Sequence, residues 1–319
     1  MTQDNPTETS QPMDVQDILK QLEVNEGTFP REAVLQAIEQ REAITPELLR
    51  ILEDARDNIE YIAEHDDYFA HIYAMYLLAQ FREPRAYPLL TQFFAMPEGM
   101  AKHVTGEIVT ESLGRILASV SGGDSRLMME LAENESADDY VRSAALQGLI
   151  CLVVSGDKTR EDVIAYFQSF FRGRLPREYT VLWDLLISSS TDLYPEELYE
   201  DIKQAYEEGL IESFFIGIED VESTLKQGKE RVLENLQNNR HYSLITDTVS
   251  ELEWWACFQP KDRLPRTTLP NIPVPKALPN IPFPTPVPVV QTATKKSKSR
   301  TKDKAKRKQV KASRRKNRR

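Results

Sequence analysis

A histidine–aspartate doublet is the clearest candidate for chemistry in this chain. His65 and Asp66 lie in "EHDDYFAH", residues 64–71. Such a doublet can bind a catalytic metal when a histidine on a preceding helix completes the site, but His65 is the first histidine here. Asp67 and His71 are four residues apart, so on a helix they would share a face and could bind a metal together. A metal-dependent hydrolase centred on Asp67 and His71 is therefore one alternative function.

The other common catalytic patterns are absent from the sequence. There is no Gly-x-Ser-x-Gly nucleophile, no phosphate-binding Walker loop and no Gly-x-Gly-x-x-Gly. Four histidines and two cysteines supply no tetrahedral set for zinc. The sequence therefore predicts a protein that is not an enzyme and carries no metal or cofactor.

The cysteine pattern and the hydropathy indicate the compartment. Cys151 lies in "LICLVV" and Cys257 in "WWACF", so both are expected to be buried, reduced thiols. The first 14 residues lack the basic and apolar regions of a signal peptide. The longest apolar run is far below the ~20 residues that span a bilayer. These features predict a cytoplasmic protein without membrane insertion.

The strongest functional signal is a basic C-terminal tail, residues 295–319, with fifteen Lys and Arg against one acid. Its composition predicts disorder and contact with the phosphates of nucleic acid or the ribosome. No aromatic side chain is available to stack on bases, so this binding should be nonspecific. The predicted contacts are basic residues in the last 16 positions: Lys304, Lys306, Arg307, Lys308, Lys311, Arg314, Arg315, Lys316, Arg318 and Arg319.

Charge and proline content divide the chain into four parts. Residues 1–258 hold 21 basic against 48 acidic side chains, a charge of -27, whereas residues 259–319 hold 19 against 2, a charge of +17. Ten prolines lie between positions 260 and 288, and they favour a stiff polyproline II spacer. The predicted parts are a disordered N-terminus at 1–13, a folded body at 14–258, a Pro-rich linker at 259–294 and the tail.

Within the body, apolar residues recur as five helix pairs. Each first helix is marked by a small or branched apolar residue, and successive first-helix markers lie 40, 35, 36 and 36 positions apart. Successive second-helix markers lie 41, 38, 36 and 35 positions apart. These two tracks predict an all-α solenoid of stacked helix pairs. The first-helix markers are Val34, Ala74, Val109, Ala145 and Val181, and the second-helix markers are Leu48, Leu89, Leu127, Val163 and Leu198. Beyond Gly209, closing helices with Trp254, Trp255 and Phe258 are expected to cap the last unit.

Three phrases of the body, "HDDYFAHIYAMYLLAQFREPRAYPLL", "DLYPEELYEDIKQAYEEGLIESFFIGIEDVE" and "LITDTVSELEWWACF", resemble a bacterial family named as domain of unknown function 1186. The resemblance covers residues 14–258 and implies HEAT-like helical repeats but no established activity. Many members look as if they end in a Cys-rich zinc-binding motif. This chain has no cysteine after Cys257 and carries the basic tail instead.

The sequence thus predicts a HEAT-like solenoid whose face binds another, unidentified protein, joined by a spacer to an arm that contacts nucleic acid or the ribosome. A second alternative, besides the hydrolase, is a pure protein adaptor whose tail meets an acidic protein or its own body.

Overall fold

The computed structural model describes residues 13–212 and 214–259, and within them the chain is all α-helical, without a strand. None of these helices is both long and apolar enough to cross a membrane. Apart from Met13 and Gln259, the predicted N-terminal segment, linker and tail lie outside the described residues. The helices are α1 Val15–Glu23, α2 Arg31–Glu39, α3 Arg41–Asp57, α4 Ile59–Glu64, α5 Ala70–Gln80, α6 Ala86–Phe94, α7 Met100–Thr105, α8 Ile108–Glu111, α9 Leu113–Ser121, α10 Arg126–Glu133, α11 Asp139–Ser155, α12 Arg160–Ser169, α13 Val181–Asp192, α14 Tyr199–Glu207, α15 Ile218–Gln227, α16 Lys229–Gln237 and α17 Thr248–Leu252.

The predicted all-α helical-repeat fold is confirmed. First helices stack in the order α5, α9, α11 and α13, and second helices in the order α3, α6 and α10. Most marker residues are buried, although Leu89, Leu127 and Val181 are half-buried. In the fifth unit Leu182 is fully buried, one position after the predicted marker Val181. The periodicity therefore predicted the repeat correctly and missed its register in the last unit by one residue.

The central first helices are buried on all sides because each lies between two neighbours. In α5 every residue from Ala70 to Ala79 is buried, and α11 buries eleven of its seventeen residues. A helix enclosed in this way is apolar around its whole circumference. By contrast, α10 buries only Met128, Leu131 and Ala132, because its opposite face meets solvent.

Two arginines occupy equivalent places in different repeats. Arg41 of α3 donates to the backbone oxygen of Phe81, which follows α5. Arg160 of α12 donates from Nε to the backbone oxygen of Leu193, which follows α13, at 2.6 Å. The last carbonyls of a helix lack partners within it and carry partial negative charge, so a guanidinium there is stabilising. In both units the second helix thus caps the next first helix.

The contact between α9 and α11 depends on two glycines. A Cβ on Gly114 of α9 would lie 2.7 Å from the backbone oxygen of Ala144, and one on Gly148 of α11 would lie 2.5 Å from the Met128 sulfur. Glycine allows this approach because it has no side chain. The backbones of the third and fourth units therefore meet with no space between them.

The closing helix α16 packs on α13 of the last unit, but the prediction that Trp254, Trp255 and Phe258 cap that unit was wrong. Instead, α17 returns to the first units and packs on α2 and α5. The Phe258 ring meets Phe29 and Phe69, with ring centroids 5.4 and 6.0 Å away, and Trp254 is 66% exposed. The backbone nitrogen of Thr248 donates to Gln80 Oε1 at 2.7 Å. The apolar residues of the C-terminal segment find their partners at the start of the body.

The two cysteines differ from expectation in one respect. Cys151 is buried in α11, as predicted, and burial raises the pKa of its thiol to about 12. Cys257 is exposed, contrary to prediction, because its neighbours pack against the first units from only one side.

Candidate ligand-binding cleft

The structure does not bring together the residues of the predicted metal site. Asp67 is exposed in the turn before α5, and its backbone oxygen accepts a hydrogen bond from Asn25. His71 is 1% exposed, with Nε2 3.0 Å from the backbone oxygen of Val104. Burial lowers the pKa of His71 to about 4. One side chain faces solvent and the other the interior, so the arrangement gives no support to the hydrolase.

Within residues 13–212 and 214–259, no three His, Cys, Asp or Glu side chains are placed to hold a metal ion. The expectation of no stoichiometric zinc stays a prediction, which elemental analysis of the purified protein would check. The predicted phosphate-binding residues, Lys304 to Arg319, lie outside the described residues.

A cleft of about 660 Å³ opens where the returning C-terminal segment, residues 240–257, meets the second and third units. One wall runs from Ile62 at the end of α4 to Tyr76 in α5, and a second runs from His103 to Arg115. A third wall is formed by Arg240, His241, Glu251 and residues 254–257. This volume lies within the range of ~300–1,000 Å³ of typical ligand sites.

Local sequence explains how these walls are positioned. Gly106 has φ +57° and ψ -129°, a conformation for glycine, and it ends α7 so that His103 to Glu107 face the cleft. Asp247 caps α17 by accepting hydrogen bonds from the backbone nitrogens of Val249 and Ser250. That cap fixes the start of α17 one turn before Glu251, which lines the cleft.

Aromatic side chains supply much of the cleft surface. The aromatic set comprises Tyr68, Phe69, Tyr76, Trp254 and Trp255. The Tyr76 and Trp255 rings meet edge to face with centroids 6.1 Å apart, whereas Trp254 remains 66% exposed. A large exposed aromatic residue beside an apolar cavity is typical of a binding anchor.

The two arginines of the cleft are both bound to Glu251. Arg115 donates from Nη1 and Nη2 to the Glu251 carboxylate at 2.9 and 2.8 Å, and Arg240 Nη2 lies 3.4 Å from the same carboxylate. The Arg115 and Glu251 side chains are 7% and 11% exposed. Burial opposes ionisation of Glu251, but hydrogen bonds from Arg115 hold its pKa below the ordinary value. Both cations are thus already engaged by a carboxylate of the protein.

Three further carboxylates, Asp66, Glu107 and Glu111, are exposed residues of the same cleft; we call them the carboxylate set. None of them forms an ion pair with a residue in the described part of the chain. With the two arginines and Glu251, the cleft carries four acids against two bases. Its unengaged charge is therefore negative.

Histidines from distant parts of the sequence lie at the same cleft. His65, His103 and His241 line the cleft, and His71 lies behind it, bonded to the backbone of the cleft residue Val104. His103 and His241 lie 138 positions apart and share no motif, so the sequence gives no signal that they line one cavity. Only the return of the C-terminal segment places them together.

Comparison with known proteins identifies the chain's relatives. It is 40% identical over 244 residues to an uncharacterized protein of Chlamydia trachomatis, covering 76% of this chain and 96% of the relative. It is likewise 40% identical over 244 residues to an uncharacterized protein of Chlamydia muridarum, covering 76% and 97%. No solved structure matches the chain. A family model described as protein of unknown function DUF1186 matches residues 13–259, and the chain therefore belongs to that family.

Proposed function

We propose that the protein is a non-enzymatic binding protein, whose helical body holds a protein partner in the cleft and whose basic tail contacts nucleic acid or the ribosome. The observation that carries the proposal is the cleft of about 660 Å³. It combines an exposed aromatic anchor with an apolar interior.

The shape of the cleft suits side chains of a protein partner. Binding energy at protein interfaces is concentrated in a few aromatic or arginine anchors within desolvated pockets. Trp254 is large and exposed, and Trp255 beside it is braced by Tyr76. A braced ring gives contact area at low entropic cost, because its rotamer is already restricted.

The role of the tail is supported by composition. Fifteen cations in 25 residues offer many phosphate contacts, and each contact releases condensed counterions. Residues 1–258 carry -27 and should be repelled by a polyanion. Any nucleic-acid contact is therefore assigned to the tail.

The salt dependence of binding tests the tail. If ~6–10 cations meet phosphates, log K for duplex DNA should fall with log salt with a slope of about -5 to -9, and more shallowly for single-stranded RNA. Deleting residues 295–319 should abolish binding, whereas a scrambled tail of equal composition should retain it. Binding that survives the deletion would contradict the proposal. Loss on scrambling would favour the pure adaptor, with the tail read as a specific sequence by a partner.

The cleft is tested by capture of a partner from a lysate with the full-length protein and two aromatic variants. Trp254→Ala should lose the partner, because it removes the exposed anchor. Tyr179→Ala is the matched control, since Tyr179 is 46% exposed and lies outside the cleft. A partner that binds both variants equally would place the interface elsewhere on the body.

A further inference from the structure

We propose that the cleft takes a basic segment of its partner, in which Arg or Lys side chains alternate with apolar residues. This inference rests on the proposed function, since it names the chemistry of the partner that the cleft holds. It follows from two features that occur together: the aromatic set and the unengaged carboxylate set, both of which line one cavity.

The charges of the cleft make an anionic partner a poorer fit than a cationic one. Arg115 and Arg240 are the only cationic Lys or Arg side chains lining the cleft, and Glu251 already engages both. An incoming carboxylate or phosphate that bound the buried Arg115 would have to displace Glu251 and leave a buried charge without its partner. Arg240 is 64% exposed, but Glu251 already lies 3.4 Å from it. An incoming cation needs no such rearrangement, because Asp66, Glu107 and Glu111 have no cationic partner within the described residues.

The aromatic set favours a cation attached to an apolar stem. Guanidinium and ammonium groups are attracted to the faces of Trp and Tyr rings, and the methylene stems of Arg and Lys bury well against apolar surface. The same contacts occur within the protein: Lys102 Nζ lies 3.8 Å from the ring centroid of Tyr140, and the Arg177 guanidinium lies 5.3 Å from that of Trp183. Apolar residues between the cations would fill the interior beside Ile62, Ile72 and Ile108.

Generic attraction to an acidic body does not explain a preference for this cleft. At physiological salt the Debye length is ~8 Å, so exposed charges beyond that distance are largely screened. The carboxylates that line the cavity are the ones near enough to act on its occupant. Specific binding should therefore depend on these three residues and not on the total charge.

The test uses the full-length protein and the peptide acetyl-Arg-Leu-Arg-Leu-Arg-amide, which contains no tryptophan. Two of the three tryptophans of the chain line the cleft, so intrinsic fluorescence reports occupancy directly. The triple variant D66N/E107Q/E111Q should bind the peptide about tenfold more weakly, which corresponds to ~1.4 kcal/mol and to modest contributions from three exposed ion pairs.

A matched variant removes the same number of charges elsewhere. Glu207, Glu230 and Glu234 are exposed helical carboxylates outside the cleft, and E207Q/E230Q/E234Q should change the affinity less than about twofold. Equal losses in the two triple variants would overturn the proposal, because they would show nonspecific attraction to the body.

Further peptides and variants separate the other occupants. If acetyl-Ser-Leu-Ser-Leu-Ser-amide binds as tightly as the basic peptide, the cleft binds a partner but not through charge; the proposed function then stands and this inference fails. Tighter binding of acetyl-Glu-Leu-Glu-Leu-Glu-amide would also overturn it. An affinity raised more than about tenfold by K261Q/R263Q/R266Q would assign the cleft to the chain's own segment. A dimer that the basic peptide dissociates would assign it to a second copy.

Discussion

The contact between α9 and α11 and the contact between α9 and the returning segment are built in opposite ways. In the first, Gly114 and Gly148 remove side chains so that two helix backbones touch. In the second, Arg115 and Glu251 hold the segment at the distance of two long side chains, and a cleft of about 660 Å³ opens beside them.

The difference shows how one helix can contribute to a rigid interface and to a binding site. Gly114 and Arg115 are adjacent in α9 and therefore point to different sides of the helix. The side of α9 that carries Gly114 packs within the repeat stack, where a cavity would be destabilising. The arginine side faces the closing segment, where an ion pair fixes position without filling the volume. Four predictions test this division, in order of decreasing effect.

The largest effect is expected for Glu251→Gln, which leaves Arg115 buried without its counter-charge. We expect the free energy of unfolding to fall by about 3 kcal/mol, measured by urea unfolding. Glu253→Gln is the control two residues away, because its ion pair with Arg31 is exposed and should contribute less than about 1 kcal/mol. Equal effects of the two substitutions would show that burial of the Arg115 pair is unimportant.

Adding a methyl group to the glycine contact should cost somewhat less. Gly114→Ala places a Cβ against the backbone oxygen of Ala144, which cannot move without shifting α11, so we expect a loss of about 2–3 kcal/mol. Gly148→Ala meets the Met128 sulfur, which belongs to a flexible side chain, and the Gly114 backbone oxygen only at 3.1 Å. Both substitutions gain the same helix propensity of about 1 kcal/mol. Urea unfolding should therefore rank Gly114→Ala as the more damaging change; the reverse order would contradict the close backbone contact.

The folded protein should lose stability in acid because of His71, which lies behind the cleft. Burial lowers the pKa of His71 from 6.5 to about 4. Between these two pH values His71 is therefore protonated in the unfolded state and neutral in the folded state. Stability is then retained above pH 6.5 and lost as the pH falls toward 4. Between pH 7 and 5 the wild type should lose about 2 kcal/mol more than His71→Gln, measured by unfolding at both pH values. Parallel losses would mean that His71 protonates freely in the folded protein.

The smallest effect on stability is expected at Trp254. Because its side chain is 66% exposed, Trp254→Ala should change the free energy of unfolding by less than about 0.5 kcal/mol. Its binding of the basic peptide should nevertheless weaken, as followed by calorimetry. A large loss of stability would make Trp254 a structural residue of the closing segment and not an anchor for a partner.

The sequence predicted those parts of the molecule that depend on local periodicity. Ala74 and Ala145 mark buried first helices, because an enclosed helix must repeat apolar residues at the helical period. The Arg115–Glu251 pair spans 136 positions, and no local pattern encodes such a partner. Trp254 was expected to cap the last unit because terminal repeats usually need a cover, but the segment that carries it packs on α2 and α5. The cleft could not be predicted, since it exists only where that segment returns.

The return of the C-terminal segment also determines how the body must fold. An open stack of repeats can form unit by unit, since each unit contacts only its neighbours. Here α17 packs on α2 and α5, and Arg31 pairs with Glu253, 222 positions away, so the first unit is incomplete until α17 has been made. Closing so long a loop costs entropy before its contacts are gained, which slows folding. Because α17 is bound to the first unit, neither end of the body is free to fray as the ends of open repeat arrays do. Unfolding should therefore proceed as one cooperative transition.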